Sequence, residues 1–524
     1  MKKIAVVLLT GTLFLSACQV PEQDISNESG SGEQNVSPIV EESAENRPTE
    51  DDVTEPSVSS LPTISMDSLI VQRYTEDGEV LLVEISRDNL TLSGEGYEKA
   101  AETVRKYFYC TEEDLSSQAD ALVEMAMDQY MATKDDNYWF SPYGASTTYE
   151  VTRLDTSVLS VKGFSYDFEG GAHGYAAEWG STIDLKSGAE LSLSQLAADP
   201  NGFVNKTLEI VLEDLGGRRE EEELFDAYES YVEEHIEETS WYLDAEGIVL
   251  VYTPYEIGPY ASGSITVRVS YDEVAEYMKT EYLPLQENYI STLPMNHEVT
   301  ASLLDGVCTV LWQMESVYME TYVDYETSVT VNGGTSLVEP FVSVRHAYLM
   351  RRPDGRSFLI FDIDWASDDF ETFVYELGAG GAVQTADIWA ALDGKNISMD
   401  SVGLRFTLNV LGTYSSEMSY ALTGNGRLEP MEKIYTFTPN REWQGLTTIR
   451  ELPVTIDGQQ TMLPVGTSLF IDATDNAGTA WFTTDEKSGA ISGEIHYERR
   501  EDDYQLYING ISEYEYFEMI PYTG

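Results

Sequence analysis

The sequence predicts an α+β unit followed by a mainly-β region. Three observations carry this expectation. Residues 64–283 mix helical and strand periodicities, and after about residue 286 short apolar-aromatic runs alternate with turn sequences. The first 63 residues have neither pattern.

At the start, Lys2 and Lys3 precede an apolar stretch from Ile4 to Leu15, followed by "LSAC". A short positive segment, an apolar run and small residues before a cysteine resemble a bacterial lipoprotein leader. The expectation is a signal peptide over 1–17 and lipid attachment at the Cys18 thiol. A two-chain lipid holds a protein to a membrane stably where one chain does not. No later run reaches about 18 apolar residues, so this lipid is the expected membrane attachment. Residues 18–63 are rich in Glu, Asp, Ser, Asn and Pro and almost lack aromatics. Such a segment cannot bury enough apolar surface to offset its ordering entropy and is expected to be a disordered acidic tether. A flexible chain of this length reaches roughly 40 Å.

The α+β unit is expected over 64–283. "VLLVEIS" (80–86) reads as a strand, and the spacing of Leu122, Met125, Ala126 and Tyr130 predicts helix within 97–131. Val158, Ser160, Lys162, Phe164, Tyr166 and Phe168 alternate as on a strand. A helix with Leu208, Val211, Leu212 and Leu215 on one side is expected to stop at Gly216-Gly217. A second acidic helix is expected over 219–238, with Leu224, Tyr228, Tyr231, Val232 and His235 as its apolar stripe. That places His235 as a packed core histidine and leaves the glutamates solvated.

Residues 284–445 read as a β-rich meander, with PDG, GAGG and TGNG turns between runs such as "SFLIFDIDW". No fixed-period repeat is present. Residues 446–524 form a further small β unit whose sequence "LPVGTSLFIDATDNAGTAWFTTDEKSGAISGEIHYE" resembles an SH3-like barrel.

The 92 acidic residues outnumber the 30 basic ones, giving a formal charge of −62. A chain this acidic repels phosphate backbones, which argues against nucleic acid, and attracts cationic proteins. Cys110 and Cys308 are far apart, have no cysteine neighbour and are expected to be free, buried thiols. There is no G-x-S-x-G, S-x-x-K, H-E-x-x-H or phosphate-binding loop, so no catalytic residue, metal ligand or cofactor is assigned. "DATDN" (472–476) has the composition of a calcium loop without its spacing. The cluster Asp362, Asp364, Asp368 and Asp369 reads as a surface turn between strands. A wall hydrolase or esterase using carboxylates that spacing does not single out stays open as the alternative to a binding protein.

Two motifs stand out. In "YDFEGGAHGYAAEWG", Gly170, Gly171 and Gly174 suit a hairpin connection and put His173 on or near the turn. His173 there is either a locking element of the turn or a ligand contact. In "VYTPYEIGPYASG", Tyr252, Tyr255 and Tyr260 stand beside prolines and a Gly258-Pro259 turn. They form either a rigid aromatic platform or the plug of a core edge. Tyr166, Gly170, Gly171, His173 and Gly174, then Asp184, Gly188 and Leu191, then Tyr255, Ile257, Gly258, Pro259, Tyr260 and Gly263, are similar to one extracytoplasmic family. It is the domain of the lysozyme-sensing anti-sigma factor RsiV and of the N-terminal part of the peptidoglycan deacetylase PdaC.

The resemblance implies a compact RsiV-like α+β ectodomain over 64–283 that binds or senses, with peptidoglycan or a lysozyme-type protein as the expected partner. It does not carry deacetylation over, because the five histidines never approach an H-x-x-x-H spacing. Nothing in the sequence sets the oligomeric state.

Overall fold

The structure, a computed structural model, describes residues 60–134, 140–284, 287–318, 323–340, 343–365, 369–437, 444–485, 490–500 and 503–523. The expected leader, Cys18, the tether up to residue 59 and Asp368 lie outside the described residues. Strands make up 51% and helices 18% of the described residues, so the α+β character holds with β in the majority.

β1 (Thr63–Tyr74) and β2 (Leu81–Ser93) form an antiparallel hairpin. β2 then pairs in parallel with β3 (Tyr143–Leu154), which demands a crossover. Helices α1 (Glu98–Phe108) and α2 (Glu112–Thr133) supply it. The helices separate at Thr111, whose hydroxyl accepts from the Asp114 amide while the Asp114 carboxylate accepts from the Thr111 amide. β4 (Val158–Phe168) and β5 (Tyr175–Asp184) continue the sheet from β3 as antiparallel strands.

Next come α3 (Pro200–Arg218) and α4 (Tyr228–His235). The long acidic helix expected over 219–238 is thus confined to its second half. Its first half is a turn in which Glu223 takes a left-handed φ of 51°. Gly216 and Gly217 lie inside the last turn of α3 rather than beyond it. His235 is half-exposed and tilted against Tyr231 at 4.5 Å, so it edges the stripe rather than filling the core. β6 (Ser240–Leu243), β7 (Gly247–Tyr252) and β8 (Ile265–Ser270) form a small antiparallel sheet. Leu250, Tyr252, Val267 and Val269 join Phe203, Val211, Leu215 and Val232 in one core. Short α5 (Tyr271–Val274) follows β8.

β9 (Tyr289–Thr292) pairs with the end of β3. β10 (Val299–Leu303), β11 (Gly306–Tyr318), β12 (Val323–Val331) and β13 (Gly334–Pro340) form a four-stranded meander. β14 (Ser343–Arg351), β15 (Ser357–Trp365), β16 (Asp369–Gly378) and β17 (Gly381–Ile388) return to the large sheet, because β9 also pairs with β14. The result is a ten-stranded sheet.

Strand β15 explains the run "FLIFDI". Phe358 and Ile360 enter the core shared with the C-terminal region, whereas Leu359, Phe361 and Ile363 enter the core under the β10–β13 meander. A strand covered on both faces reads as continuous rather than alternating hydrophobicity. Asp362 falls on the first of these faces and is fully buried, which corrects the surface-turn expectation for this carboxylate. Arg345 donates to it at 2.7 Å and the Leu392 amide at 3.1 Å.

Beyond β17, residues 391–430 form a four-stranded sheet and residues 435–496 a seven-stranded one. Leu404, Leu422, Leu446, Leu469, Phe482 and Phe517 share one core with Ile290, Tyr348 and Phe358. The composition changes near 283 and 445 therefore fall within continuous packing. Helices stop covering the sheet at the first of these positions, and strands flank the second on both sides. Cys110 and Cys308 are buried in two different cores and form no disulfide with each other. Among the described residues no helix is long and apolar enough to cross a membrane.

Candidate functional site

The GGAHG segment is the connection of the β4–β5 hairpin, whose last pair is Asp167 and Tyr175. Gly170 has φ +88°, and a Cβ there would lie 2.4 Å from both the Tyr143 hydroxyl and Gln129 Oε1. Gly174 is needed for a different reason. A Cβ on it would meet the Tyr166 ring and the Asp167 carbonyl at 2.5 Å. Gly171, at φ +96°, faces open space. The hairpin expectation for these glycines agrees with this geometry.

The second motif is the loop from β7 to β8. Its anchor is Ile257, fully buried, whose carbonyl accepts from the Phe225 amide at 2.9 Å. Gly258 lies over Ile265, and a Cβ there would come within 2.8 Å of that side chain. The Tyr255 amide donates to the Gly258 carbonyl, and the Thr253 amide donates to Glu256 Oε2 at 2.5 Å. Glu256 Oε1 accepts from the Tyr231 hydroxyl at 3.0 Å, tying the loop to α4. Pro259 then leads into the single turn Tyr260–Ser262.

These two loops meet. The Tyr260 hydroxyl donates to the Gly174 carbonyl at 2.7 Å, and His173 Nδ1 lies 2.8 Å from the same oxygen. A carbonyl only accepts, so the proton of a neutral His173 resides on Nδ1 and leaves Nε2 as an acceptor. The His173 and Tyr260 rings stack at 4.4 Å with 20° between planes. Tyr255 extends the line, its ring 6.0 Å from Tyr260 at 29°. Phe164 and Tyr166, on one face of β4, add 40% and 38% exposed rings beside the hairpin.

Tyr255 is the unusual member. It is a bulky residue at φ +77°, yet 58% of it is exposed. A non-glycine residue in that region costs of order 1–3 kcal/mol. Tyr252 separates from the group: it is fully buried among Leu250, Val267 and the helices, so it presents no face to a ligand. The structure thus assembles three of the four aromatic candidates and assigns the fourth to the core.

Sequence reasoning did not reach a second feature, a cleft of about 280 Å³ where β3, the β6–β8 sheet, β9 and β10 converge. Arg153 lies in its wall, buried, beside Asp155, Asp244, Glu246 and Tyr271. Burial and the nearby Asp244 push the Tyr271 hydroxyl up to about 12, against the pull of Arg153. Arg153 and Tyr271 are 118 positions apart, and only the single charge in the alternating "ITVRVS" hints at a polar neighbourhood on that face. Among the described residues no three His, Cys, Asp or Glu side chains are grouped to hold a metal ion.

No curated protein matches the sequence. Among solved structures, a DUF3298 family member from Bacteroides fragilis aligns at 16% identity, covering 43% of this chain and 96% of its own, with a TM-score of 0.34. A DUF3298 family protein from Pseudomonas aeruginosa aligns at 16% identity, covering 43% and 97%, with a TM-score of 0.29. The family models that match are "Deacetylase PdaC", over residues 77–176, and "Protein of unknown function (DUF3298)", over residues 204–272. The GGAHG hairpin lies in the first match and the Tyr255–Tyr260 loop in the second. The α+β part of the chain is therefore similar to the PdaC and DUF3298 domains, the family to which its two motifs pointed.

Proposed function

We propose that this chain is a binding or sensing ectodomain held on the outer face of a bacterial membrane by a lipid on Cys18. The acidic segment 18–59 sets it off from the bilayer. Its contact surface is the line His173, Tyr260 and Tyr255, and its occupant is a cell-wall glycan or a cationic wall-active protein such as lysozyme. The observation that carries this reading is Tyr255, a strained residue whose ring gains little burial in return. Strain held without packing gain is found where function requires it. Aromatic rings on a rigid loop offer a flat apolar face with little entropy left to lose, which suits both sugar rings and protein hot spots. The formal charge of −62 supports a cationic protein through steering. The strand-rich C-terminal unit, SH3-like in sequence, is proposed as a second wall contact.

The test is titration of the protein with lysozyme and, separately, with soluble peptidoglycan fragments. Binding that weakens as salt rises from 50 to 300 mM identifies the protein partner, and salt-indifferent binding the glycan. In either case Tyr260→Ala and Tyr255→Ala should weaken binding by about tenfold or more. If neither probe binds, or both variants bind like wild type, the reading fails.

A further inference from the structure

The cleft beside Arg153 carries a different inference, independent of the aromatic surface. Five carboxylates line it, from Asp155, Asp244, Glu246, Asp272 and Glu298, against one guanidinium, Arg153. That guanidinium is already spent. Its Nε donates to Asp155 at 2.7 Å, its Nη1 to the Tyr271 hydroxyl and the Tyr282 carbonyl, and its Nη2 to the Leu283 carbonyl. An anion entering the cleft would find no unused donor on it.

Two of the carboxylates are equally committed. Asp155 Oδ1 accepts from the amides of Ser157 and Val158. Asp244 Oδ1 accepts from the amides of Glu246 and Gly247, and its Oδ2 is paired with Arg268. Glu246 is not. Its Oε2 is buried and receives no hydrogen bond. Arg268 Nε forms an ion pair with it at 3.4 Å without a hydrogen bond, and His297 Nδ1 is 3.9 Å away. The side chain is only 11% exposed, so water has little access to that oxygen. A buried acceptor left without a donor keeps its full desolvation penalty. Burial raises the Glu246 carboxyl pKa, against the pull of Ser270 and Arg268, and a cation placed at Oε2 would reverse that rise. Asp272 and Glu298 are exposed, and Val299 and Leu349 add apolar wall.

We propose that this cleft binds an alkylammonium or guanidinium group, with a cationic N–H donating to Glu246 Oε2. The aliphatic stem lies along Val299 and Leu349, and Asp272 and Glu298 attract the cation. Small-ligand pockets usually fall at about 300–1,000 Å³. A cleft of about 280 Å³ therefore fits one basic side chain or a short free amine.

The experiment is calorimetric titration of the full chain with 1,5-diaminopentane, with a trilysine peptide and with uncharged 1,5-pentanediol. Binding of either amine, with none of the diol, supports the site. Binding of the peptide alone assigns the cation to a polypeptide, and binding of the diamine alone to a free amine. Glu246→Gln should weaken amine binding tenfold or more. Should Glu246→Gln lose its fold by circular dichroism, the exposed double variant Asp272→Asn with Glu298→Gln takes its place, and a threefold loss is expected. Silence with both amines, equal binding of diol and diamine, or amine binding unchanged in the folded variant would overturn the proposal.

Discussion

Strand β7 and the loop that leaves it are adjacent in sequence and opposite in energetics. All six residues of β7 are buried: Ile248, Leu250 and Tyr252 share the core of α3 and α4, and Val249 and Val251 pack with Tyr242 on the other face. Three residues past Tyr252, Tyr255 holds an unfavourable φ with most of its ring in solvent. Both segments are tyrosine-bearing and apolar, yet one contributes stability and the other stores strain. Aromatic content alone does not say which role a residue plays. What separates them is Ile257 and Gly258, which pin the loop back onto the core and leave Tyr255 and Tyr260 outside.

The largest expected effect tests the buried side of this contrast. Tyr252→Ala should remove about 3–5 kcal/mol of stability, read as a lower denaturant midpoint, because it empties a fully packed site. A loss below about 1 kcal/mol would place Tyr252 back with the surface group. On the strained side, Tyr255→Gly relieves a φ penalty of about 1–3 kcal/mol and adds chain entropy worth about 0.5–1 kcal/mol to the unfolded state. The net expectation is a gain of about 1 kcal/mol in stability together with loss of ligand binding. Stability that falls instead would mean the Tyr255 ring packs more than it strains.

A smaller effect concerns the joint between the two halves of the large sheet. β9 is four residues long, and near its end His346 Nδ1 of β14 lies 3.2 Å from Glu150 of β3. The hydrogen bond and charge of Glu150 raise the His346 pKa above its usual 6.5, against burial and Arg345, with Asp362 adding to the rise. Burial alone would push Glu150 up, but His346, Lys162 and Tyr348 outweigh it and hold its carboxyl below its usual 4.5. A raised histidine stabilises below its unfolded pKa and loses that contribution as pH rises through the folded value. A lowered carboxylate stabilises above its unfolded pKa and loses that contribution as pH falls through the folded value. The pair is thus fully effective between about pH 4.5 and 6.5. The denaturant midpoint should drop from pH 6 to pH 9, and Glu150→Gln should flatten that drop. An unchanged slope would show that the joint does not depend on this pair.

Much of the candidate site was legible before the fold. The three glycines of FEGGAHG announced a hairpin, since two of them take left-handed φ and the third admits the Tyr166 ring. The YEIGPY loop was legible as a rigid turn. That Tyr260 and His173 share the Gly174 carbonyl was not legible, because 86 residues separate the hydroxyl from its acceptor. The continuity of the large sheet across residue 283 was equally hidden, since β9 carries only four residues of pattern.

The sequence by itself determined the acidic, mixed α and β character, the two turn motifs and the alternation that builds β4. These follow from local backbone preference and side-chain period, which act between neighbours in the chain. Only the tertiary structure decided that Tyr252 is core while Tyr255 is exposed, that Asp362 is buried, and that Glu246 faces a cleft with an unsatisfied oxygen. Burial and hydrogen-bond satisfaction are set by residues from distant segments. No local pattern encodes them.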